Sequence, residues 1–564
     1  MVEPAVRGIS SPALARFMRI WRELLDFQSQ PDPLDLRLLP TPDTSLDTTV
    51  SRREDTSRGP DLVRTGISGL DKILNGGLPR NHIYLIDGEP GAGKTTLAIQ
   101  FLLEGVAEGE QGLFVTLSET KAELQQVADS HGWSLDGIEV FELSPDQAEM
   151  ADEGYTLFHP AEVELQHTMD LVLKRVEELE PRRVVFDSLS EMRLLAREPL
   201  RFRRQILAMK QFFAGRDSTV LILDDKTSPG DDLQLHSLAH GVIALEHVAL
   251  EYGSERRRLQ VTKIRGARFR GGFHDFRITK GGLRVFPRIL HDSPRGDYAT
   301  ANILSGSPRL DALVGGGLTA GTSLLITGAA GTGKSVLCSQ YARATIERGE
   351  KVLFYLFDER PSTFKMRTEA LGIDLDEAID SNQFHLQQIE PTELSPGEFA
   401  SQVVTAVEKD RISLVVIDSI NGYMQSMPEE RLLPIQVHEL LSFLSNNGVT
   451  CIMTLVQHGI FGHPVDESAE VSYLADTVVL MRYFEVNGMV RQAISVVKKR
   501  SGDHERTIRE FKVGKGGLNV GRPLHEFQGV LTGVPTYIGG SVPLMRDDVE
   551  EPQERPVKAA GRTK

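Results

Sequence analysis

Two short stretches of this 564-residue sequence have the residue types and spacing needed to hold the phosphate chain of a nucleotide. Both fit the P-loop pattern G-x-x-x-x-G-K-[ST], in which glycines let backbone N–H groups form an anion nest and the following helix adds its positive end. The first stretch is Gly88, Glu89, Pro90, Gly91, Ala92, Gly93, Lys94 and Thr95. The second, 240 residues later, is Gly328, Ala329, Ala330, Gly331, Thr332, Gly333, Lys334 and Ser335. We therefore predict two ATP-binding sites per chain.

The last two residues of each P-loop have separate expected roles. Lys94 and Lys334 are expected to reach the β- and γ-phosphates, and Thr95 and Ser335 to offer a hydroxyl to Mg²⁺. A short apolar run precedes each loop and a helical pattern follows it. Strand, loop and helix in this order, twice, favour two true P-loops over chance glycine-rich turns.

Acidic residues follow the next predicted strand of each half. Glu119 comes after the strand at 112–117, and Asp358 and Glu359 come after the strand at 351–356. In both halves a glutamate lies 25 residues after the P-loop lysine. Since a carboxylate there could position or deprotonate the attacking water, we predict that these three residues are catalytic.

A further strand in each half ends in an aspartate, the Walker B pattern that orients Mg²⁺ and its waters. Asp187 ends the apolar run at 183–187, and Asp418 ends the run at 414–418. The complete set of predicted Mg²⁺ ligands is Thr95, Asp187, Ser335 and Asp418.

Strands that alternate with helices, each a continuous apolar run, predict a mainly parallel sheet flanked by helices. The chain is therefore expected to be an α/β protein with two tandem P-loop domains, at 62–295 and 296–522. An N-terminal extension, 1–61, contains one amphipathic helix and a linker rich in Pro, Asp, Ser and Thr. A charged tail, 523–564, follows, and we expect both extensions to be flexible.

Composition excludes several classes of protein. The net charge of −16 argues against a protein that coats nucleic acid. No apolar run is long enough to span a membrane and no signal-peptide pattern begins the chain, which predicts a cytoplasmic location. The only cysteines, Cys338 and Cys451, lie on predicted core elements and indicate neither a disulfide framework nor a zinc site. The arginine-bearing helix after Ser11 could bind a membrane or a partner, or pack on its own protein.

Taken together, the P-loops, the acids, the Walker B aspartates and the tandem layout resemble the KaiC family of RecA-like ATPases over residues 62–522. The family's K-x-R-G strand has similar stretches at 263–266 and 498–502. The resemblance implies a homohexameric double ring with ATP at the subunit interfaces. It also implies that the strand's cations reach the neighbour's nucleotide, since none has an obvious partner within its own P-loop unit. These residues, which we predict to be catalytic on this ground, are Lys263, Arg265, Lys498 and Arg500.

The sequence departs from the family pattern at two places. The family usually has two glutamates after the second strand, whereas here Ser118 precedes Glu119, which leaves a single candidate acid in the first domain. Alignment on Asp476 places Ser472 and Tyr473 where KaiC has adjacent serine and threonine phosphoacceptors. Ser472 is therefore a candidate phosphoacceptor, and a plain loop serine is the alternative interpretation.

Three functions fit these observations. The first is a signalling ATPase that uses MgATP, has signalling partners and adds serine autokinase activity. The second is a DNA-dependent motor or recombinase of RecA type. The loop at 457–472 disfavours it, because this loop has three acids and no Lys or Arg, and would repel a phosphate backbone. The third is a nucleotide-gated scaffold with little turnover. We expect no nucleic-acid partner.

Overall fold

The computed structural model describes residues 61–143, 160–196, 198–226, 232–249, 253–289, 302–425, 433–457, 472–486, 488–532 and 536–538. The predicted N-terminal helix and linker, and the end of the predicted tail, lie outside these residues. So does most of the loop at 457–472 that disfavours DNA binding.

The first P-loop domain begins with a short strand pair and continues as alternating strands and helices. Its strands are β1 (Leu62–Val63), β2 (Leu78–Pro79), β3 (Ile83–Gly88), β4 (Gly112–Thr116), β5 (Ile138–Glu142), β6 (Arg183–Asp187), β7 (Thr219–Asp225), β8 (Gly241–Val248), β9 (Arg256–Ile264), β10 (Phe273–Thr279) and β11 (Gly282–Phe286). Its helices are α1 (Ser68–Ile73), α2 (Lys94–Ala107), α3 (Lys121–His131), α4 (Pro160–Leu179), α5 (Leu189–Ala196), α6 (Pro199–Phe213) and α7 (Asp232–Leu238).

The second P-loop domain repeats this order. Its strands are β12 (Asn302–Ile303), β13 (Leu318–Thr319), β14 (Ser323–Gly328), β15 (Lys351–Leu356), β16 (Phe384–Gln388), β17 (Ile412–Asp418), β18 (Thr450–Val456), β19 (Thr477–Val486), β20 (Met489–Lys499), β21 (Arg509–Gly514), β22 (Gly517–Pro523), β23 (Phe527–Gln528) and β24 (Thr536–Tyr537). Its helices are α8 (Pro308–Leu313), α9 (Lys334–Glu347), α10 (Pro361–Ala370), α11 (Asp376–Asp380), α12 (Pro396–Asp410), α13 (Ile420–Gln425) and α14 (Leu433–Asn446).

Each domain is built on one large sheet with the P-loop strand at its centre. Among the described residues, the first sheet has the order β11-β10-β9-β8-β3-β7-β6-β4-β5, and the second has the order β22-β21-β20-β19-β14-β18-β17-β15-β16. In both sheets the strands from β8 to β5, and from β19 to β16, are parallel, and the last three at the other edge are antiparallel. The predicted α/β fold with two tandem RecA-like domains is therefore confirmed.

The continuous apolar runs have the expected cause, because both faces of each sheet are covered. Neighbouring residues on β3 belong to different hydrophobic cores: Leu85 packs with Met209 and Phe213, whereas Ile86 packs with Leu97 and Phe101 of the P-loop helix. Successive side chains on a strand point to opposite faces, so a strand buried on both faces must be apolar at every position. This burial holds β3 in place and so fixes the position at which the P-loop begins at the end of the strand.

The P-loop helix of each domain is also tied to the antiparallel edge of its sheet. The Gln100 side chain accepts a hydrogen bond from the backbone N–H of Leu283, over 2.7 Å. Gln340, 240 residues later, accepts one from Leu518 over 2.8 Å. A Cβ at Gly282 or at Gly517 would lie within 2.6 Å of the glutamine beside it, so glycine is needed next to each of these contacts.

The two domains contact each other through the antiparallel edge of the first sheet. The Asp275 carboxylate, on β10, accepts a hydrogen bond from the N–H of Gly397 in the first turn of α12, over 2.8 Å. Arg277, two residues on, forms a 3.1 Å ion pair with Glu398. Since α12 leads into β17, these contacts join the first domain to the element that precedes the second Walker B aspartate.

Residues beyond 522 also form structure where the chain is described. Leu524, Phe527 and Val530 are buried and pack with Phe484 of β19 in a small separate core. None of the described helices is both long enough and apolar enough to cross a membrane.

Candidate nucleotide sites

Both P-loops lie at the carboxyl end of the central strand of their sheet and run directly into a helix. The residue before each helix, Gly93 or Gly333, has a left-handed backbone with φ of 101° or 97°, a conformation that glycine adopts without steric cost. A Cβ at Gly88 or Gly328 would lie 2.6 or 2.2 Å from a backbone oxygen of the neighbouring strand. Glycine is therefore required at the start of the loop by packing as well as by the shape of the anion nest.

The P-loop lysines donate to equivalent loop carbonyl groups in both domains. The Nζ atom of Lys94 donates to the carbonyl oxygens of Gly88 and Glu89, each over 2.9 Å. Lys334 donates to the oxygens of Gly328 and Ala329 over 2.9 and 2.8 Å. Burial lowers the pKa of Lys334 to about 8. A buried cation against the loop backbone is ready to bind an anion.

Each predicted Walker B aspartate lies beside the hydroxyl residue of its P-loop. Thr95 donates to the Asp187 carboxylate over 3.1 Å, and Ser335 hydrogen-bonds to Asp418. Burial raises the pKa of Asp187 to about 6 and raises the pKa of Asp418 as well. Burying an ionised carboxylate is costly unless a cation accompanies it, so the hydroxyl and carboxylate pair of each domain fits Mg²⁺. Thr454 of β18 also donates to Asp418, over 2.5 Å.

Glu119 occupies a short turn after β4 that points its carboxyl group towards the same end of the sheet. Its backbone N–H donates to the Thr116 hydroxyl over 2.9 Å, and that hydroxyl donates to the Glu119 carbonyl over 2.7 Å. The Oε2 atom is buried and has no hydrogen-bond partner in the described part of the chain. Burial, and then the negative charges of Asp187, Glu123 and Asp225, raise the pKa of Glu119 to about 7. An unpaired carboxyl group with that pKa suits proton transfer at neutral pH.

The corresponding acids of the second domain have partners. Asp358 accepts a hydrogen bond from the hydroxyl of Ser419, the residue after the Walker B aspartate, over 2.6 Å. Glu359 forms a two-point ion pair with Arg367 of α10. Glu119 thus has a buried oxygen without a hydrogen-bond partner, whereas Asp358 is hydrogen-bonded and Glu359 is ion-paired.

The cations of the K-x-R strands were expected to have no obvious partner in their own domain, but in the structure they have partners there. Lys263 and Arg265 donate to the carbonyl oxygens of His236 and Ser237 at the end of α7. In the second domain, Lys498 donates to the oxygens of Ser472 and Ala475 over 3.1 and 2.7 Å, and Arg500 to that of Tyr473 over 2.6 Å. That expectation is therefore wrong, because ends of short helices and turns expose carbonyl groups that a sequence pattern does not reveal.

These four cations are not brought to the P-loop of their own chain. Lys263 is paired with Val242 on β8, which is paired with Leu85, three residues before the P-loop begins. Lys498 has the same register relative to β14. The structure therefore separates the predicted catalytic residues into two groups: the acids lie at the carboxyl end of the sheet, whereas the K-x-R lysines lie level with the first half of the central strand.

Ser472 lies at the start of the described segment before β19. It is half-buried, whereas the side chain of Tyr473 is exposed. Asp476, on which the alignment rests, accepts hydrogen bonds from the N–H and hydroxyl of Ser323 over 2.9 Å each, which fixes the end of this segment against β14.

Sequence reasoning missed two residues that contact the sites. Asp225, the last residue of β7, forms a 2.7 Å ion pair with Lys94. Arg367 holds Glu359 from α10. The position of Asp225 at the end of the strand next to the P-loop strand could have indicated its proximity, but no motif includes it.

These two domains, each with a P-loop, a hydroxyl beside a Walker B aspartate and an acid after the second strand, define a tandem RecA-like P-loop ATPase. The family model described as "ATPase: KaiC" matches residues 63–289 and again 303–525. The chain therefore belongs to the KaiC ATPase family.

Curated relatives match most of the chain at low identity. The circadian clock oscillator protein KaiC of Picosynechococcus sp. is 26% identical over 493 residues, which cover 85% of this chain and 93% of that protein. KaiC of Synechococcus elongatus is 25% identical over 497 residues, 84% of this chain and 92% of its own. The circadian clock protein KaiC2 of Synechocystis sp. is 28% identical over 483 residues, 83% of both chains.

Proposed function

We propose that this protein binds and hydrolyses MgATP at two sites per chain, one in each domain. The observation that carries the proposal is the repeated meeting of a P-loop lysine and a hydroxyl and aspartate pair at one end of each sheet. A candidate acid lies beside each group, and family membership supports ATPase activity.

Each group has a defined part in the reaction. Lys94 and Lys334 would bind the β- and γ-phosphates, and the hydroxyl and aspartate pairs would hold the metal. Mg²⁺ supplies positive charge to the phosphate oxygens. Glu119 in the first domain, and Asp358 or Glu359 in the second, would orient the attacking water and accept its proton.

Single and double substitution of the P-loop lysines tests this assignment. Lys94→Ala and Lys334→Ala should each abolish ATP binding in one domain and spare the other, because each removes the charge partner of the phosphates. The double variant should neither bind ATP nor release phosphate, while Lys409→Ala, at an exposed position on α12, should behave as wild type. Loss of both sites after a single substitution would contradict two separate sites.

We also infer a homohexameric ring that forms with ATP. Its support is membership of the KaiC family together with the register of the K-x-R strands, which keeps these cations away from the P-loop of their own chain. Arg500→Ala should lower turnover more than nucleotide affinity, since a cation donated across an interface acts on the transition state. Light scattering with and without MgATP measures the assembly, and a monomer at saturating MgATP would refute it.

Serine autophosphorylation in the second domain is a further part of the proposal, as a signalling switch read by protein partners. Ser472 would accept phosphate from ATP held by a neighbouring chain, with Asp358 and Glu359 available to take the hydroxyl proton. A phosphate would add about −1.5 to −2 charges beside Lys498 and Arg500 and re-pair those cations. Phosphopeptide mapping of wild type, Ser472→Ala and Glu359→Gln tests it, and label that persists in Ser472→Ala would rule this serine out.

One observation favours low turnover in the second domain, as in a nucleotide-gated scaffold. Both oxygens of Glu359 are engaged by Arg367, so this contact must break before the carboxylate can accept a proton from water. Phosphate release that came entirely from the first domain, in Lys334→Ala compared with Lys94→Ala, would support this alternative.

A further inference from the structure

The P-loop lysines of the two domains differ in one contact. Lys94 forms a 2.7 Å ion pair with Asp225, in which the lysine side chain is 8% exposed and the aspartate 27%. Among the residues that the structure describes, Lys334 has no carboxylate within ion-pair distance. The pair in the first domain is therefore shielded from solvent on one side and is screened less than a surface ion pair.

The difference originates at one position of one strand. Asp225 is paired with Gly88, the first residue of the P-loop, and in the second domain Val456 is paired with Gly328 in the same register. A carboxylate at this position reaches the lysine that leaves the neighbouring strand, whereas valine has no charge to offer.

Asp225 is also held in place from its other side. Its second oxygen accepts a hydrogen bond from the Ser190 hydroxyl over 3.1 Å. The second domain keeps the link between these elements but uses the backbone: the Asn421 side chain binds the N–H and the C=O of Val456, over 2.6 and 3.1 Å. The strand end is thus anchored in both domains, and only the first presents a carboxylate to the P-loop lysine.

We propose that Asp225 is an internal competitor for the phosphates of ATP and sets the affinity and metal dependence of the first site. The lysine that would bind the β- and γ-phosphates is already paired with this carboxylate, and Asp187 adds negative charge nearby. ATP can enter only if it displaces Asp225 from Lys94 or brings enough positive charge with it. Mg²⁺ bound to the nucleotide provides that charge, so the first site needs the metal more than the second does.

The inference rests on the proposed ATP sites, and reciprocal substitutions test it in the full-length protein. In a Lys334→Ala background, which leaves only the first site, Asp225→Asn and Asp225→Val should tighten MgATP binding about fivefold, the effect expected for an ion pair of partial exposure. In a Lys94→Ala background, Val456→Asp should weaken the second site by a similar factor. Binding is measured by isothermal titration calorimetry.

Titrations with ATP in EDTA give a second readout. The ratio of the Kd without metal to the Kd with Mg²⁺ should be larger at the first site than at the second, and Asp225→Asn should reduce it. This variant keeps the size of the side chain and its bond to Ser190, so it decides the matter even if Asp225→Val does not fold. Unchanged or weaker binding by Asp225→Asn would overturn the proposal.

The outcomes also separate this inference from the proposed function. If Asp225→Asn binds ATP more tightly but neither domain releases phosphate, the proposed ATP hydrolysis is wrong and the proposed role of Asp225 in binding is supported. If phosphate release depends on Lys94 while Asp225→Asn loses turnover at unchanged affinity, Asp225 acts in the reaction itself and the competitor role is wrong.

Discussion

Arg367 holds Glu359 through two nitrogen atoms, at 2.7 Å from Nη2 to Oε2 and 3.2 Å from Nε to Oε1. Arg367 lies eight residues after Glu359, and in the first domain the residue eight after Glu119 is Val127, which packs against the core instead. The residue at this one helix position therefore determines whether the acid of each domain has an arginine partner.

Release of Glu359 should speed the second site. We expect Arg367→Ala to raise phosphate release about threefold in a Lys94→Ala background, because loss of the guanidinium frees both oxygens of the carboxylate to contact the attacking water. ATP affinity should change little. Lys365→Ala, which removes an exposed ion pair of the same helix, is the control. A fall in turnover to the level of Glu359→Gln would show that Arg367 positions the acid.

Turnover at the first site should depend on pH in the neutral range. The pKa of Glu119 is raised to about 7, so roughly a tenth of it is ionised at pH 6 and roughly nine-tenths at pH 8. Since only the ionised form can accept a proton, kcat/KM of the Lys334→Ala variant should rise through this interval and level off above it. ATP affinity measured at the same pH values is the control. A flat profile between pH 6 and 8 would remove Glu119 as the base.

Thr454 should stabilise the second domain through Asp418. Thr454→Val removes a donor to a buried carboxylate and should cost about 2 kcal/mol, a decrease in Tm of roughly 4 to 8 °C for a domain of this size. Calorimetry of the nucleotide-free protein measures it. Thr405→Val makes the same chemical change on the exposed side of α12 and should have little effect. Equal melting of both variants would contradict the assigned contact.

Asp275 should connect the stabilities of the two domains. Burial raises the pKa of its carboxyl group, which hydrogen-bonds to Gly397 and Ser395 at the start of α12. Asp275→Ala leaves the Gly397 N–H without its acceptor and should cost about 1 to 3 kcal/mol, with more separate melting of the two domains in calorimetry. Asp275→Asn keeps an acceptor and should be milder.

A second variant tests the same contact from the other side. A Cβ at Gly397 would lie 2.7 Å from an Asp275 oxygen, so Gly397→Ala should reproduce the effect of Asp275→Ala. If neither variant changes the melting profile, the contact does not link the domains.

Much of the fold could be predicted from the sequence because its signals are local. The runs that end at Asp187 and Asp418 are buried on both faces of a parallel sheet, and such strands show no polar alternation. The P-loop fixes a strand before it and a helix after it, and both helices begin at the motif lysine. The 240-residue repeat then assigns the second copy from the first.

The contacts that distinguish the two sites could not be predicted in this way. Asp225 meets Lys94, and Thr454 meets Asp418, through sheet order, which places strands distant in sequence side by side. The carbonyl partners of Lys263 and Lys498 belong to the backbone, so no residue type identifies them. Motifs identify the residues that the two sites share, whereas the contacts that differ between the sites depend on sheet order and strand register.

The glutamine contacts between the P-loop helix and the sheet edge set a minimum length for any fragment that is to bind nucleotide. A second-domain fragment that stopped before residue 517 would lose β22 and with it the N–H of Leu518 that Gln340 accepts. The damage would reach α9, whose first residue is the P-loop lysine, although the cut lies more than 180 residues away in sequence. Expression boundaries should therefore fall after Pro523 in the second domain, and for the same reason after Phe286 in the first.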